Sequence, residues 1–197
     1  KSQNLLELIK IELLSLPSEE TKMQEIKILA ILSLVYFVSF SFITLINILI
    51  KNNHIIRTLN LKSKFNSQNT LFYGFILALI GTLSSLYLSE IKDLEPCKYC
   101  WFERVFLFPL VLIFFVSWVK KNNFGIIISI PFIISGILLT LYHYWIQLFP
   151  PDETCDVISC SSPYIWELGF ISIPLMAFFN FFGLLLILIN YKLIGEK

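Results

Sequence analysis

The stretch GIIISIPFIISGILLTLYHYWIQLF, residues 125–149, decides the fold class, because it runs for 25 residues without a charged side chain. A helix needs about 20 mostly apolar residues to cross the hydrocarbon core of a bilayer, and this stretch is long enough. Similar apolar stretches lie on both sides of it, at residues 28–50, 70–89, 105–119 and 168–190. We therefore predict five transmembrane helices and an all-α membrane protein.

The composition supports this prediction. Hydrophobic residues make up 56% of the chain and charged residues only 15%, and the mean hydropathy is +0.76. These values are too apolar for an average soluble domain. The formal net charge is +1, with no basic stripe to neutralise phosphates, so the sequence argues against nucleic-acid binding.

The orientation of the helices follows from the positions of lysine and arginine, which concentrate in cytoplasmic loops. The loop 51–69 has four basic residues and no acid, the turn after the third apolar stretch has two lysines, and the tail has two more. The intervening loops, 90–104 and 150–166, carry acidic residues and fall on the outer side by parity. We therefore predict an extracytoplasmic N-terminus and a cytoplasmic C-terminus.

All four cysteines lie in the two loops predicted to be extracytoplasmic. That compartment permits disulfides, whereas the cytosol keeps thiols reduced. Cys97 and Cys100 form a C-x-x-C motif just before a helix predicted to start near Trp101. The positive end of a helix dipole favours a thiolate at such a position. Arg104, one turn beyond Cys100 on the same helix face, adds a cation that is a functional candidate by its depth.

Arg104 has two competing interpretations, since it could snorkel to the interface or pair with Glu103. The second cysteine pair, Cys155 and Cys160, has four intervening residues, which allows either a strained, exchangeable disulfide or a structural staple. The four cysteines together could also bind zinc through four thiolates. These alternatives remain open at this point.

His143 lies toward the outer end of the fourth predicted helix, at a depth similar to that of Arg104. An imidazole and a guanidinium facing one cavity beside a dithiol could hydrogen-bond the carbonyl groups of a quinone and stabilise developing negative charge. The alternative is a buried histidine that is bonded to a neighbouring helix. The nearby Gln147 and aromatic residues favour a site for a ring-shaped ligand.

Three segments resemble the disulfide bond formation protein B family, DsbB, and especially its short-loop, BdbC-like branch. PCKYCWFER, residues 96–104, resembles the family motif C-x-x-C-W-Y-Q-R. YHYWIQLFP, residues 142–150, is similar to the family segment that ends in Q-L-Y-P. YIWELGFISIP, residues 164–174, resembles the stretch after the last cysteine in BdbC-like proteins.

The resemblance implies a four-helix membrane bundle that reoxidises a DsbA-like, thioredoxin-fold partner and passes the electrons to the membrane quinone pool, as ubiquinone or menaquinone. It implies that the partner attacks the pair Cys155/Cys160, with Cys155 as the site of the mixed disulfide. Electrons then reach Cys97/Cys100, where Cys100 contacts the quinone and Arg104 and His143 line its site. No metal ligand is implied.

The expected organisation comprises five parts. They are an extracytoplasmic interfacial segment at 1–27, an extra transmembrane helix at 28–50, a basic cytoplasmic loop at 51–69, a DsbB-like four-helix core at 70–190 and a cytoplasmic tail at 191–197. The expected location is the bacterial cytoplasmic (inner) membrane, with the cysteine loops on the periplasmic face. The competing hypothesis is a structural membrane protein with a four-cysteine zinc site or inert disulfides.

The sequence departs from the family pattern at three places. Phe102 and Glu103 replace the usual tyrosine and glutamine of the motif. Cys155 and Cys160 are closer together than in long-loop members, which predicts different intermediates in the transfer between loops. The first 69 residues have no counterpart in the basic four-helix pattern.

Overall fold

The computed structural model describes residues 19–50, 67–150 and 166–192. The predictions for Cys155, Cys160, most of the basic loop and the final residues of the chain fall outside this described part. The same holds for most of the predicted N-terminal interfacial segment, of which only residues 19–27 are described.

Five long helices dominate the described residues, and each is long and apolar enough to cross a membrane. The predicted fold class and helix count are therefore confirmed. Within the described ranges, the one β pairing is an isolated bridge between Glu167 and Ile171. The helices are α1 (Glu19–Ile50), α2 (Ser67–Leu86), α3 (Lys98–Val119), α4 (Phe124–Leu148) and α5 (Ile173–Asn190), and α2 is continued by a π-helical turn (Tyr87–Ile91).

The helix starts differ from the apolar boundaries in the sequence, because backbone hydrogen bonding does not require an apolar side chain. Helix α1 begins at Glu19 rather than at residue 28. Helix α3 begins at Lys98 rather than near Trp101, with Cys97 as its extended N-cap residue. Cys100 therefore lies inside the first turn of α3, where the prediction placed it before the helix.

Helix α5 begins later than predicted, at Ile173 rather than at residue 168. A tight turn occupies the preceding residues, and Leu168 and Gly169 adopt positive φ angles of 52° and 79° in it. Such angles are incompatible with a continuing right-handed helix. Pro174 follows in the first turn of α5, where the lack of an N–H group costs no helical hydrogen bond.

Helices α2 to α5 form a closed bundle, in which each packs against the next along the chain and α5 returns to α2. Helix α1 stands outside this bundle and packs mainly on α5. The centre of the bundle consists of fully buried side chains, among them Leu110, Phe114, Ile133, Phe181 and Leu184. The predicted arrangement of four helices plus one extra N-terminal helix is thus confirmed.

Close contacts in the bundle depend on glycine. Lipid supplies no hydrophobic driving force between membrane helices, so their packing relies on small residues that let side chains and backbones approach. The ring of Phe181 from α5 lies directly against Gly136 of α4, and a methyl group on Gly136 would overlap that ring. Phe181 is buried among the core side chains, so the added methyl group would have to displace a packed ring.

We expect Gly136→Ala to lower the free energy of unfolding by about 1–3 kcal/mol, the usual cost of overpacking a core. Thermal unfolding of the purified protein in detergent measures the effect. Leu138→Ala is the control, because Leu138 is on the same helix with 64% of its side chain exposed. An unchanged midpoint for Gly136→Ala would show that the contact with Phe181 is not tight.

Candidate functional site

The described cysteine pair lies at the start of α3. Cys97 caps the helix with an extended backbone, and Cys100 occupies its first turn. This places both side chains on one side of the helix start, where the Cys97 thiol lies 3.2 Å from the Cys100 sulfur, within sulfur hydrogen-bonding distance. Cys97 is buried and Cys100 is partly exposed. The pair is therefore close enough for oxidation to a disulfide, and Cys100 is the sulfur that an external reactant can reach.

His143 of α4 lies beside this pair. Its Nε2 atom is 3.6 Å from the Cys97 sulfur, and its Nδ1 atom is 2.7 Å from the Glu103 Oε1 atom. Only 1% of the His143 side chain and 6% of the Glu103 side chain are exposed. The Tyr99 ring packs against the imidazole at a centroid distance of 5.4 Å. A continuous line of contacts thus runs from Glu103 through His143 and Cys97 to Cys100.

Glu103 is the residue that the sequence analysis undervalued. It was weighed only as a partner of Arg104 and as a replacement for the glutamine of the family motif, whereas the structure pairs it with His143 across two helices. A signal was present in the sequence, since an acidic residue inside an apolar span is as unusual as an arginine. Hydropathy could not, however, predict that the partner of Glu103 is His143 on another helix.

Arg104 is held by α2. Its Nε atom donates to the Ser85 hydroxyl and its Nη2 atom to the Ser85 carbonyl oxygen, both at 3.0 Å. The guanidinium also lies 5.2 Å from the centroid of the Trp101 ring. Arg104 is buried with 8% exposure. The structure therefore shows neither an Arg104 side chain that snorkels to the interface nor an ion pair between Arg104 and Glu103.

A mostly apolar cavity of about 580 Å³ lies between α1, α2, α3 and α5. Cys100, Glu103, Arg104 and Ser85 line one part of it. His143 does not line it, since the imidazole lies behind the cysteine pair. Arg104 and His143 were predicted to face a common cavity. In the structure, only Arg104 lines the cavity, together with Cys100, and His143 contacts Cys97 instead.

Helix α1 supplies a wall of this cavity, including Leu29, Tyr36 and Phe40. Its N-terminal part is attached to the segment after α2, where Glu25 forms an ion pair with Lys92 and accepts a hydrogen bond from the Tyr87 hydroxyl. The hydrogen bond to Glu25 raises the pKa of Lys92 above its ordinary value. The Lys92 side chain is almost fully buried, so the pair links α1 firmly to the segment after α2.

Comparison with known proteins identifies similar chains. The family model described as "Disulfide bond formation protein DsbB" matches residues 67–190, which leaves α1 outside the match. A "Probable disulfide formation protein C" of Halalkalibacterium halodurans is 35% identical over 66% of this chain and 96% of that protein. The "Disulfide bond formation protein C" of Bacillus subtilis (strain 168) is 34% identical over 64% of this chain and 94% of that protein. No solved structure matches the chain.

We expect Glu103→Gln to slow alkylation of Cys100 by iodoacetamide about tenfold. The Glu103 carboxylate stabilises the imidazolium that forms when His143 takes the Cys97 proton. Cys97 can then take the proton of Cys100, whose sulfur lies 3.2 Å away and becomes the thiolate that is alkylated. Hydrogen bonds to charged groups contribute about 1.5–3 kcal/mol. Rates are measured on the reduced protein carrying Cys155→Ala and Cys160→Ala. Glu90→Gln is the control, because Glu90 is exposed and is not among the residues that line the cavity with Cys100. Equal rates for both variants would contradict a role of Glu103 in thiol reactivity.

We expect Glu25→Ala to lower the unfolding midpoint in detergent at pH 8, because it leaves the buried Lys92 ammonium without its anion. The pKa of Lys92 is raised in the folded state. The ion pair therefore stabilises the fold fully at pH values below the ordinary lysine pKa, and this stabilisation disappears as the pH rises through the raised pKa of Lys92. The midpoints of wild type and variant should therefore approach each other as the pH rises above the ordinary lysine pKa. A difference that is the same at pH 8 and pH 11.5 would show that packing, not charge, causes it.

Proposed function

The chain belongs to the DsbB family of disulfide bond formation proteins, and on that premise we propose that it is a thiol:quinone oxidoreductase which reoxidises a DsbA-like partner. The chain is a multi-pass membrane protein with an oxidoreductase role in disulfide bond formation. This membership also favours the oxidoreductase over the structural protein that was the competing hypothesis.

The observation that carries the proposal is the placement of a reactive sulfur and a cation on one apolar cavity. Cys100 and Arg104 line the cavity together, while Cys97 is buried behind Cys100 and next to His143. A cavity of this kind, apolar with few polar groups, is typical of sites for small ring-shaped ligands. Its volume lies within the usual range of about 300–1,000 Å³ for such sites.

The residues of the cavity fit a quinone. Arg104 uses Nε and Nη2 for Ser85, and its Nη1 atom makes no hydrogen bond with any residue that the structure describes. The buried Tyr36 hydroxyl and the Asn180 Oδ1 atom, on residues of the cavity wall, likewise have no hydrogen-bond partner among the described residues. Buried polar atoms normally have partners, and the carbonyl and hydroxyl groups of a quinone and its reduced form are suitable ones.

The proposed reaction moves two electrons in three steps. The partner's dithiol reduces the Cys155–Cys160 disulfide and becomes a disulfide itself. The resulting dithiol then reduces the Cys97–Cys100 disulfide by exchange, and Cys155 and Cys160 return to the oxidised form. Finally, Cys97 and Cys100 lose two electrons and two protons and form their disulfide again. A bound quinone supplies the chemistry of the last step by accepting the two electrons and two protons.

The surrounding side chains have distinct roles in that last step. His143 accepts the proton of Cys97, and Glu103 holds the imidazole and stabilises its charged form. The neighbouring Cys100 sulfur is the donor that faces the cavity. Arg104, fixed by Ser85, donates a hydrogen bond where negative charge develops on the acceptor. Helix α1 shields the site from lipid and water, which strengthens these electrostatic interactions.

The proposed setting is the bacterial cytoplasmic (inner) membrane, with the cysteines on the periplasmic face and the basic loop 51–69 and the tail in the cytoplasm. The positive-inside rule and the acidic loops support this orientation. The DsbA-like partner, with a thioredoxin fold, would then meet Cys155 and Cys160 outside the membrane. The quinone, ubiquinone or menaquinone, would come from the membrane pool.

We expect proteoliposomes of the wild-type protein to reduce ubiquinone-1 or a menaquinone analogue when given a reduced DsbA-like protein. Cys100→Ser should abolish the activity, because no sulfur then faces the cavity. Arg104→Met should lower kcat/KM about 10- to 100-fold through the loss of a preorganised donor. Quinone reduction is followed by absorbance, with each quinone tested separately.

The matched control for Arg104→Met is Lys98→Met, which removes an exposed cation from the first turn of the same helix and should leave kcat/KM within about twofold of wild type. Normal turnover by Cys100→Ser would contradict the proposed mechanism. Equal loss from Arg104→Met and Lys98→Met would indicate a general effect of charge on the partner's approach instead of a role in the cavity.

A further inference from the structure

We propose that Cys97, Cys100 and His143 form a binding site for one zinc-class divalent cation, open only while the cysteine pair is reduced. The site would act as a redox-dependent lock, because a metal held by both sulfurs prevents their oxidation. This inference needs only the described geometry; its regulatory consequence rests on the proposed function. It differs from the four-thiolate zinc site weighed from the sequence, since it requires one cysteine pair and a histidine.

The three ligand atoms are already close to the spacing that zinc requires. The two sulfurs are 3.2 Å apart, the Cys97 sulfur is 3.6 Å from His143 Nε2, and all three atoms lie within 4.8 Å of one another. With Zn–S bonds of about 2.3 Å and a Zn–N bond of about 2.0 Å, tetrahedral coordination places two sulfurs about 3.8 Å apart and sulfur and nitrogen about 3.5 Å apart. The Cys100 sulfur and the His143 nitrogen, within 4.8 Å, have to come closer by up to about 1.3 Å to reach this geometry, which rotation of the Cys100 side chain can supply.

Glu103 gives His143 the tautomer that a metal needs. The Glu103 carboxylate accepts a hydrogen bond from the Nδ1–H group over 2.7 Å, so the lone pair is on Nε2, the atom beside the Cys97 sulfur. A histidine that binds a metal with one nitrogen and a carboxylate with the other is the usual arrangement in zinc proteins. The contact between Glu103 and His143 therefore orients the imidazole before any metal arrives.

The charges of the cluster balance when a divalent cation binds. Binding forms two metal–sulfur bonds and releases the two thiol protons, so two thiolates offset the charge of the cation. Glu103 and Arg104, both almost fully buried, carry opposite charges and offset each other. A cluster with zero net charge is far less costly to bury than an isolated ion.

Three protein ligands leave a fourth position open, as in catalytic rather than structural zinc sites. Cys100 is the ligand that lines the cavity, so a water molecule or a small ligand from the cavity has access to that position. A disulfide sulfur is not a zinc ligand of this kind, because the thiolate is the form that binds. Oxidation of the pair therefore removes two of the three ligands at once.

The test is a titration with Co²⁺, whose visible spectrum reports both tetrahedral geometry and thiolate ligands. The full chain with Cys155→Ala and Cys160→Ala, and the wild type beside it, are reduced in detergent, freed of reductant and titrated without oxygen. We expect one Co²⁺ per chain, sulfur-to-cobalt charge-transfer absorption, displacement by Zn²⁺, and no binding by the oxidised protein. Zn²⁺ should also protect both thiols from alkylation.

The matched variants separate the proposed ligands from adventitious ones. His143→Ala, or His143→Gln if the first variant does not fold, should weaken metal binding at least tenfold and change the cobalt spectrum. Glu103→Gln should weaken it about 10- to 100-fold, the usual effect of losing a carboxylate behind a ligating histidine. Glu90→Gln removes an exposed acid away from the site and should bind like wild type.

Three outcomes would overturn the inference: no Co²⁺ binding by the reduced protein, unchanged binding by the His143 variants, or binding that requires Cys155 and Cys160. The last of these would indicate the four-thiolate site. The titration uses neither quinone nor partner protein. A protein that binds Co²⁺ but does not reduce quinone would therefore contradict the proposed function alone. A protein that reduces quinone but does not bind Co²⁺ would contradict this site alone.

Discussion

The contact between Glu103 and His143, 2.7 Å long and shielded from solvent, is the interaction on which the rest of the site depends. A carboxylate or an imidazolium is costly to bury unless it has a partner, and the two side chains come from different helices, α3 and α4. Their pairing therefore selects the relative rotation and depth of these helices. In that arrangement, the second nitrogen of the imidazole lies beside Cys97 and the cysteine pair lies at the start of α3.

The need of a buried charged group for a partner also organises the other side of α3. Arg104 reaches α2, where Ser85 provides a hydroxyl and a carbonyl oxygen as acceptors, in the turn that precedes the π-helical segment Tyr87–Ile91. Segments of this kind are frequent at functional sites. Helix α4 thus places the His143 imidazole behind the cysteines of α3, and α3 itself places the Arg104 cation on the cavity side. This separation lets Cys100 face the cavity while Cys97 is coupled to His143.

Helix α1 completes the cavity although it lies outside the region that the family model matches. It packs on α5, contributes Leu29, Tyr36 and Phe40 to the cavity wall and is attached near its N-terminal end through Glu25 and Lys92. A four-helix bundle without this wall would leave that side of the cavity facing lipid. The additional helix therefore changes the surroundings of Arg104 and Cys100 without supplying a charged group to the cavity.

The sequence alone determined the number of membrane helices and the family, and it predicted Cys97, Cys100, Arg104 and His143 as site residues, because apolar runs and short motifs are local properties. The tertiary structure alone decided the partners: Ser85 for Arg104, Glu103 for His143, and α1 as a cavity wall. It also showed that α3 begins at Lys98, so that Cys100 lies within the helix. The physical reason is that hydropathy specifies which segments enter the membrane, whereas the rotation and axial offset of each helix depend on how buried polar groups and small residues meet across helices.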